Sequence, residues 1–164
     1  MQSVDENRQE YQMSGRDNVA MEKLSGRVSM LEDERHIGGL MAQYAHLIDH
    51  DRAAEWVDCF TPDGRFEVRR PGSEPLVTLG RDALTEFATS RPPRAVPTKH
   101  FASQVMTEVE GDTATSTSYF AILSDIDGGP SLNFYGRYVD ELVRCDDALW
   151  RFKSRIATGE SRRP

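Results

Sequence analysis

Cysteine is scarce in this chain: Cys59 and Cys145 are the two in 164 residues, and no CxxC spacing occurs. A disulfide framework and a thiolate zinc site are both excluded by that count, so the pair reads as small buried hydrophobes. No apolar run approaches the ~18 residues of a membrane span, and the N-terminus lacks the charged-then-apolar order of a secretory leader. The sequence therefore predicts a cytoplasmic protein with no membrane partner. Basic charge is also short, with 20 Lys and Arg against 27 Asp and Glu. A net charge of −7 argues against nucleic acid as a partner, because phosphate neutralisation needs a clustered basic surface. Phosphate-cradling glycine loops, a GxSxG elbow and an HExxH pair are missing too, which removes nucleotide hydrolysis, serine esterase chemistry and zinc proteolysis.

What is present suits one domain of moderate size. Met1 to Asn18 is polar and is expected to be disordered. From Val19 apolar residues recur at helical spacing, first as Leu24, Val28 and Leu31, then as Ile37, Leu40, Met41, Tyr44, Leu47 and Ile48. The phase shift near Glu32 to Glu34 predicts two helices, the second running from about Asp33 to Asp49. A third, carrying Ala53, Trp56, Val57 and Phe60, ends at Pro62 and Asp63-Gly64.

Beyond that turn the period changes to two. Phe66 and Val68 open a short strand, Leu76 to Leu79 can pair with it, and Arg81 to Ala88 reads as a short helix before a proline-rich loop, Arg91 to Pro97. Four longer strand-like runs follow, His100 to Glu110, Thr113 to Asp125, Asn133 to Cys145 and Ala148 to Thr158. Helices first and antiparallel strands afterwards predict an α+β fold, with helices packed on a curved, mainly antiparallel sheet. The domain is expected to span 19–159, with a tail at 160–164.

The spacing alone says little about chemistry. His46 and His50 have an i, i+4 separation suited to a metal, yet they fall opposite the Tyr44/Ile48 stripe, so a solvated face is the better reading and no metal is expected. His100 opens a strand, on the same face as Ala102, Gln104 and Met106 by simple alternation. Asp49 lies about 140° from Tyr44 on a helical wheel, off the buried face. Tyr44 taken alone reads as core.

A resemblance changes the weighting. Tyr44-Ala-His-Leu-Ile-Asp49, Trp56, Phe60-Thr-Pro-Asp-Gly64, Lys99-His100-Phe101, Gly136-Arg-Tyr-Val-Asp140 and Leu149-Trp-Arg-Phe152 together resemble SnoaL-like members of the nuclear transport factor 2-like superfamily. It covers about Met30 to Gly159. In that group scytalone dehydratase, hexachlorocyclohexane dehydrochlorinase and bile acid 7α-dehydratase use an Asp/His pair in a conical pocket. The resemblance implies Asp49 and His100 as the dyad, with Tyr44 as a pocket hydroxyl, and Trp56, Phe60, Tyr138 and Arg137 as pocket residues. Arg137 and Arg155 are the two candidates for a late pocket arginine, and strand parity does not choose between them. A ketosteroid isomerase base would fall near Arg69, which disfavours that chemistry.

The implied activity is a cofactor-free lyase, of dehydratase type, or an isomerase, acting on a small hydrophobic cyclic compound. The alternative is a non-catalytic ligand-binding or assembly module, such as a dioxygenase small subunit. Self-association as a homodimer or homotrimer is expected on either reading, since Leu24, Val28 and Leu31 offer an extra amphipathic surface.

Overall fold

The computed structural model describes residues 2–90, 96–126 and 128–162, and the side chains of 15–90, 96–125 and 128–161 within them. It divides into two units, Met1–Arg35 and His36–Pro164.

One helix, α1, runs unbroken over Gln2–Asp49. Neither the break expected near Glu32 nor a disordered stretch over 2–18 is found. The physical reason is composition: no proline interrupts these residues, and the abundant Gln, Glu, Arg and Met are good helix formers. The phase shift instead marks where burial starts. Met21, Leu24, Val28 and Leu31 are all exposed, whereas Ile37, Leu40, Met41, Tyr44, Leu47 and Ile48 are core residues. The division between the two units falls at 35/36, where the exposed first stripe ends and the buried second one begins.

α1 ends in a Schellman turn. The N–H of Arg52 donates to the Leu47 carbonyl at 3.0 Å while Asp51 sits in the left-handed region at φ 54°. An aspartate tolerates that conformation better than most non-glycine residues. A single-turn helix, α2, covers Ala53–Val57. Phe60 is not part of it: the first strand, β1, spans Phe60–Arg69 and contains the Pro62 and Asp63-Gly64 positions that read as a terminating turn. That irregular start is a register break, with Phe60 opposite Phe152 and Arg65 opposite Ser154.

β2 (Leu76–Leu79) and helix α3 (Gly80–Thr89) follow, then four long strands: β3 (Thr98–Glu110), β4 (Thr113–Ile126), β5 (Gly129–Arg144) and β6 (Trp150–Arg162). The expected loop at 91–97 lies mostly outside the described residues. The sheet order is β2-β1-β6-β5-β4-β3, antiparallel throughout except for the β1/β6 pair. The α+β expectation holds, with a curved, open sheet.

Tyr44 of α1 is the hub of the core, with its ring 5.5 Å from Trp56, 5.8 Å from Phe152, 6.1 Å from Tyr138 and 6.2 Å from Phe60. Burying each such ring contributes roughly 1.5 to 3 kcal/mol before entropy is counted. The helix is thereby fixed against one face of the sheet, and with it the position of its last residue, Asp49.

Among the register breaks of the sheet, three decide which side chains face inward beside the cavity, since a one-residue slip reverses the face of what lies beyond it. On β3, Gln104 at φ 49° and Val105 stand opposite the single residue Ser118. On β5, Asn133 is the extra residue between Leu132 and Phe134. On β6, Lys153 is extra between Phe152 and Ser154 relative to β5.

Candidate active site

Asp49, in the last turn of α1, and His100, near the start of β3, meet directly. His100 Nδ1 lies 2.6 Å from Asp49 Oδ1, and the His100 backbone N–H donates to Asp49 Oδ2 at 2.9 Å. Both carboxylate oxygens are therefore committed to one residue. The two side chains are 4% and 13% exposed, so the off-face position on the helical wheel does not translate into solvation. The edge strand β3 covers the end of α1.

Burial by itself would raise the Asp49 carboxyl, but the hydrogen bonds from the His100 ring and backbone outweigh it and hold the group below the usual carboxylate range. Asp49 is thus ionised at neutral pH and can only accept. It fixes the His100 tautomer with the proton on Nδ1, leaving the Nε2 lone pair available.

His100 forms part of the wall of a cavity of about 310 Å³. Tyr44, Ile48, Phe66, Val68, Phe120, Ile122, Phe134, Tyr138 and Ala157 complete its apolar and aromatic lining, with Arg70 and Asn133 as further polar residues. Asp49 does not line this cavity. It borders a groove on the other side of His100 with Ala45, Lys99 and Phe101. His100 thus stands between the carboxylate and the cavity, so Asp49 can reach that cavity only through the imidazole.

Behind the cavity, Arg155 and Asp140 form a fully buried bidentate pair, Nε to Oδ1 and Nη2 to Oδ2 both at 2.8 Å. The guanidinium lies 4.3 Å from the Tyr44 ring centroid, 4.2 Å from that of Tyr138 and 3.9 Å from that of Phe152. Burial opposes its charge, yet Asp140 holds the guanidinium pKa above its ordinary value. Burial also pushes the Tyr138 hydroxyl well above the usual phenol range, with Tyr44 adding to the effect and Arg155 opposing it. Tyr138 therefore remains a neutral phenol and can serve as a hydrogen-bond donor.

The pocket residues expected from the sequence divide. Tyr44 and Tyr138 do line the cavity. Trp56 and Phe60 are 1% and 0% exposed and support Tyr44 from behind without being lining residues. Arg137 faces away: its side chain is 58% exposed and reaches Glu160 at 3.7 Å. The reason is alternation on β5, where Gly136, Tyr138 and Asp140 point inward, so residue 137 cannot. Arg155 is the buried arginine, turned inward by the Lys153 bulge. Counting by twos from Phe152 would have placed Ser154 and Ile156 there instead. His46 and His50 are exposed with stacked rings, and no group of three or more metal-ligating side chains occurs among the described residues.

The SnoaL-like domain model matches residues 29–156, which is most of the chain. This protein belongs to the SnoaL-like family. Among solved structures similar to this SnoaL-like chain is a protein of unknown function from Mycobacterium tuberculosis, 30% identical over 80% of this chain and 74% of that one, with a TM-score of 0.71. A nuclear transport factor 2-like protein with a cystatin-like fold from Novosphingobium aromaticivorans is 25% identical over 84% and 88% of the two chains, with a TM-score of 0.74. A candidate scytalone dehydratase from the same organism shares the fold at 22% identity, covering 80% and 86%, with a TM-score of 0.68. No curated protein matches. No helix among the described residues is long and apolar enough to cross a membrane.

Proposed function

We infer that this SnoaL-like protein is a lyase or isomerase that removes a proton from carbon, with His100 as general base. The observation that carries this reading is the doubly hydrogen-bonded Asp49/His100 pair set in the wall of a largely aromatic cavity. In the proposed step, His100 Nε2 takes a proton from the carbon beside an electron-withdrawing group of a small hydrophobic cyclic substrate. Asp49 stabilises the resulting imidazolium. Tyr44 or Tyr138 donates to the oxygen on which negative charge develops. Loss of a β-hydroxyl as water completes an elimination, with His100 returning the proton to the departing oxygen. Return of the proton at another carbon completes an isomerisation. The protein groups named account for every proton moved.

The assembly-module reading is less well supported, because a purely structural subunit gains nothing from spending both oxygens of a buried carboxylate on one histidine at a cavity wall. Self-association is compatible with either reading. We assign it to the outer face of the sheet, where Phe101, Val105, Met106, Tyr119 and Val139 are exposed together. Sedimentation of the wild type against Met106→Glu tests it, and a monomeric wild type rejects it.

The catalytic reading is tested by screening cyclic β-hydroxy ketones and β,γ-unsaturated ketones for loss of water or a double-bond shift, with His100→Ala as control. A substrate turned over equally by both proteins would reject it.

A further inference from the structure

Arg70 follows the last residue of β1, just before the Pro71-Gly72 turn, and belongs to the cavity lining. It is exposed where Tyr44, Phe120 and Tyr138 are buried, so it marks the mouth. Every other arginine whose side chain is described in residues 36–164 has a carboxylate within reach: Arg52 on Glu55, Arg65 and Arg69 on Glu67, Arg81 on Asp58, Arg137 on Glu160, Arg144 on Asp112, Arg151 on Asp147 and Arg155 on Asp140. Arg70 has none among the described residues, and none of the described residues that line the cavity is an Asp or Glu. A guanidinium at the entrance of a cavity whose described lining holds no carboxylate offers its planar fork of donors to an incoming anion.

Asn133 is a further polar residue of the wall, level with His100 and so on the reacting side of the cavity, and its placement is a consequence of the β5 bulge. Both Asn133 and the next residue, Phe134, line the cavity, although neighbours on a regular strand point to opposite faces. The extra residue turns a carboxamide inward that regular pairing would have sent to the outer face. Bulges are a recurrent means of re-aiming a side chain beside a site.

Arg70 and His100 lie at the same end of the sheet but on strands far apart across it. Following the register, Arg69 is level with Thr158, Arg137, Tyr119 and Ser103, while His100 is level with Ile122 and Phe134. Four strand spacings separate β1 from β3, about 19 Å along the sheet and less across its concave side. A ligand touching both must span that separation less the reach of the two side chains, which makes it elongated rather than compact.

We propose that the substrate is amphipathic, carrying an oxyanion such as a carboxylate at the end remote from the reacting carbon, with Arg70 binding that group at the cavity mouth. The inference rests on the cavity being the substrate site, and it names the substrate class for the His100 chemistry.

The test uses two fluorescent probes that share an aromatic body, 8-anilinonaphthalene-1-sulfonate and the uncharged N-phenyl-1-naphthylamine, titrated into the wild type, Arg70→Gln, Arg70→Lys and Arg137→Gln. The wild type is expected to favour the sulfonate. Arg70→Gln should weaken sulfonate binding about tenfold and leave the uncharged probe unchanged. Arg70→Lys should restore part of the preference. Arg137 belongs to the outer face of the sheet, so Arg137→Gln reports adventitious binding there and is expected to change neither probe. An unchanged probe ratio in Arg70→Gln, a ratio altered by Arg137→Gln instead, or a wild type that binds neither probe would each overturn the proposal. His100→Ala should keep the probe preference whatever its turnover. Failure of the anion site is thereby distinguishable from failure of the base.

Discussion

Asp49 holds His100 at two points, the ring Nδ1 at 2.6 Å and the backbone N–H at 2.9 Å, so a single carboxylate fixes both the imidazole and the strand that carries it. The ring cannot turn about its side-chain bonds without giving up a charge-assisted hydrogen bond worth roughly 1.5 to 3 kcal/mol. That preorganisation is what a general base needs if its free nitrogen is to meet a substrate without first being ordered.

Replacing His100 by alanine should lower turnover by roughly 10² to 10⁴-fold while leaving the far-ultraviolet circular dichroism unchanged. Asp49→Asn should lower it by a comparable factor, because an amide can present its N–H to Nδ1 and favour the wrong tautomer. A far-downfield imidazole N–H resonance in the proton spectrum of the wild type, absent from Asp49→Asn, would report the geometry independently of any substrate.

The Asp49 carboxyl is held below its ordinary value in the folded protein, so its linkage to stability has a definite sign. The contribution is fully present above the unfolded-state value near 4 and is lost as pH falls through the lower folded value. Thermal melts at stepwise lower pH should therefore show wild type and Asp49→Asn converging below pH ~4. A constant gap down to strongly acidic pH would contradict this assignment.

Arg155→Met should destabilise the protein by about 3 to 5 kcal/mol, since it leaves the buried Asp140 charge without a partner. The double variant Arg155→Met with Asp140→Leu should recover much of that loss in urea denaturation. A double variant no more stable than the single would mean that the stacking of Arg155 on Tyr44 and Tyr138 matters more than the charge pairing.

A Cβ placed on Gly159 would fall on the Phe134 ring. Gly159→Ala is thus expected to displace Phe134 from the cavity wall, weakening uncharged aromatic ligands several-fold without touching His100. Titration with N-phenyl-1-naphthylamine reads this directly, and unaltered affinity would mean that Phe134 moves without consequence for the cavity.

Burial pushes the Cys59 thiol up to about 12, so the native protein should leave it unalkylated by iodoacetamide at pH 8. Unfolding in guanidinium should make it reactive. Mass spectrometry of peptides from native and unfolded samples gives the comparison.

The sequence by itself determined the elements that rest on local periodicity: the apolar stripe from Ile37 to Ile48, the four long strands with their turns, and an α+β order that places helices on one face of a sheet. It also singled out Asp49 and His100, though by resemblance rather than by spacing, because a helical wheel cannot show that a strand 51 residues later will cover the helix end. Three further features were not legible in local periodicity. Long-range register sets the bulges at Gln104, Asn133 and Lys153, and each reverses the alternation beyond it, so Arg155 rather than Arg137 is buried and Asn133 faces the cavity. Continuity of α1 through Glu32 reflects helix propagation across a shift in the apolar stripe, which periodicity reads as a break. Last, Arg70 stands apart from the other arginines described in residues 36–164 because of which carboxylates the folded sheet brings to each of them, and that pairing has no local signature in the chain.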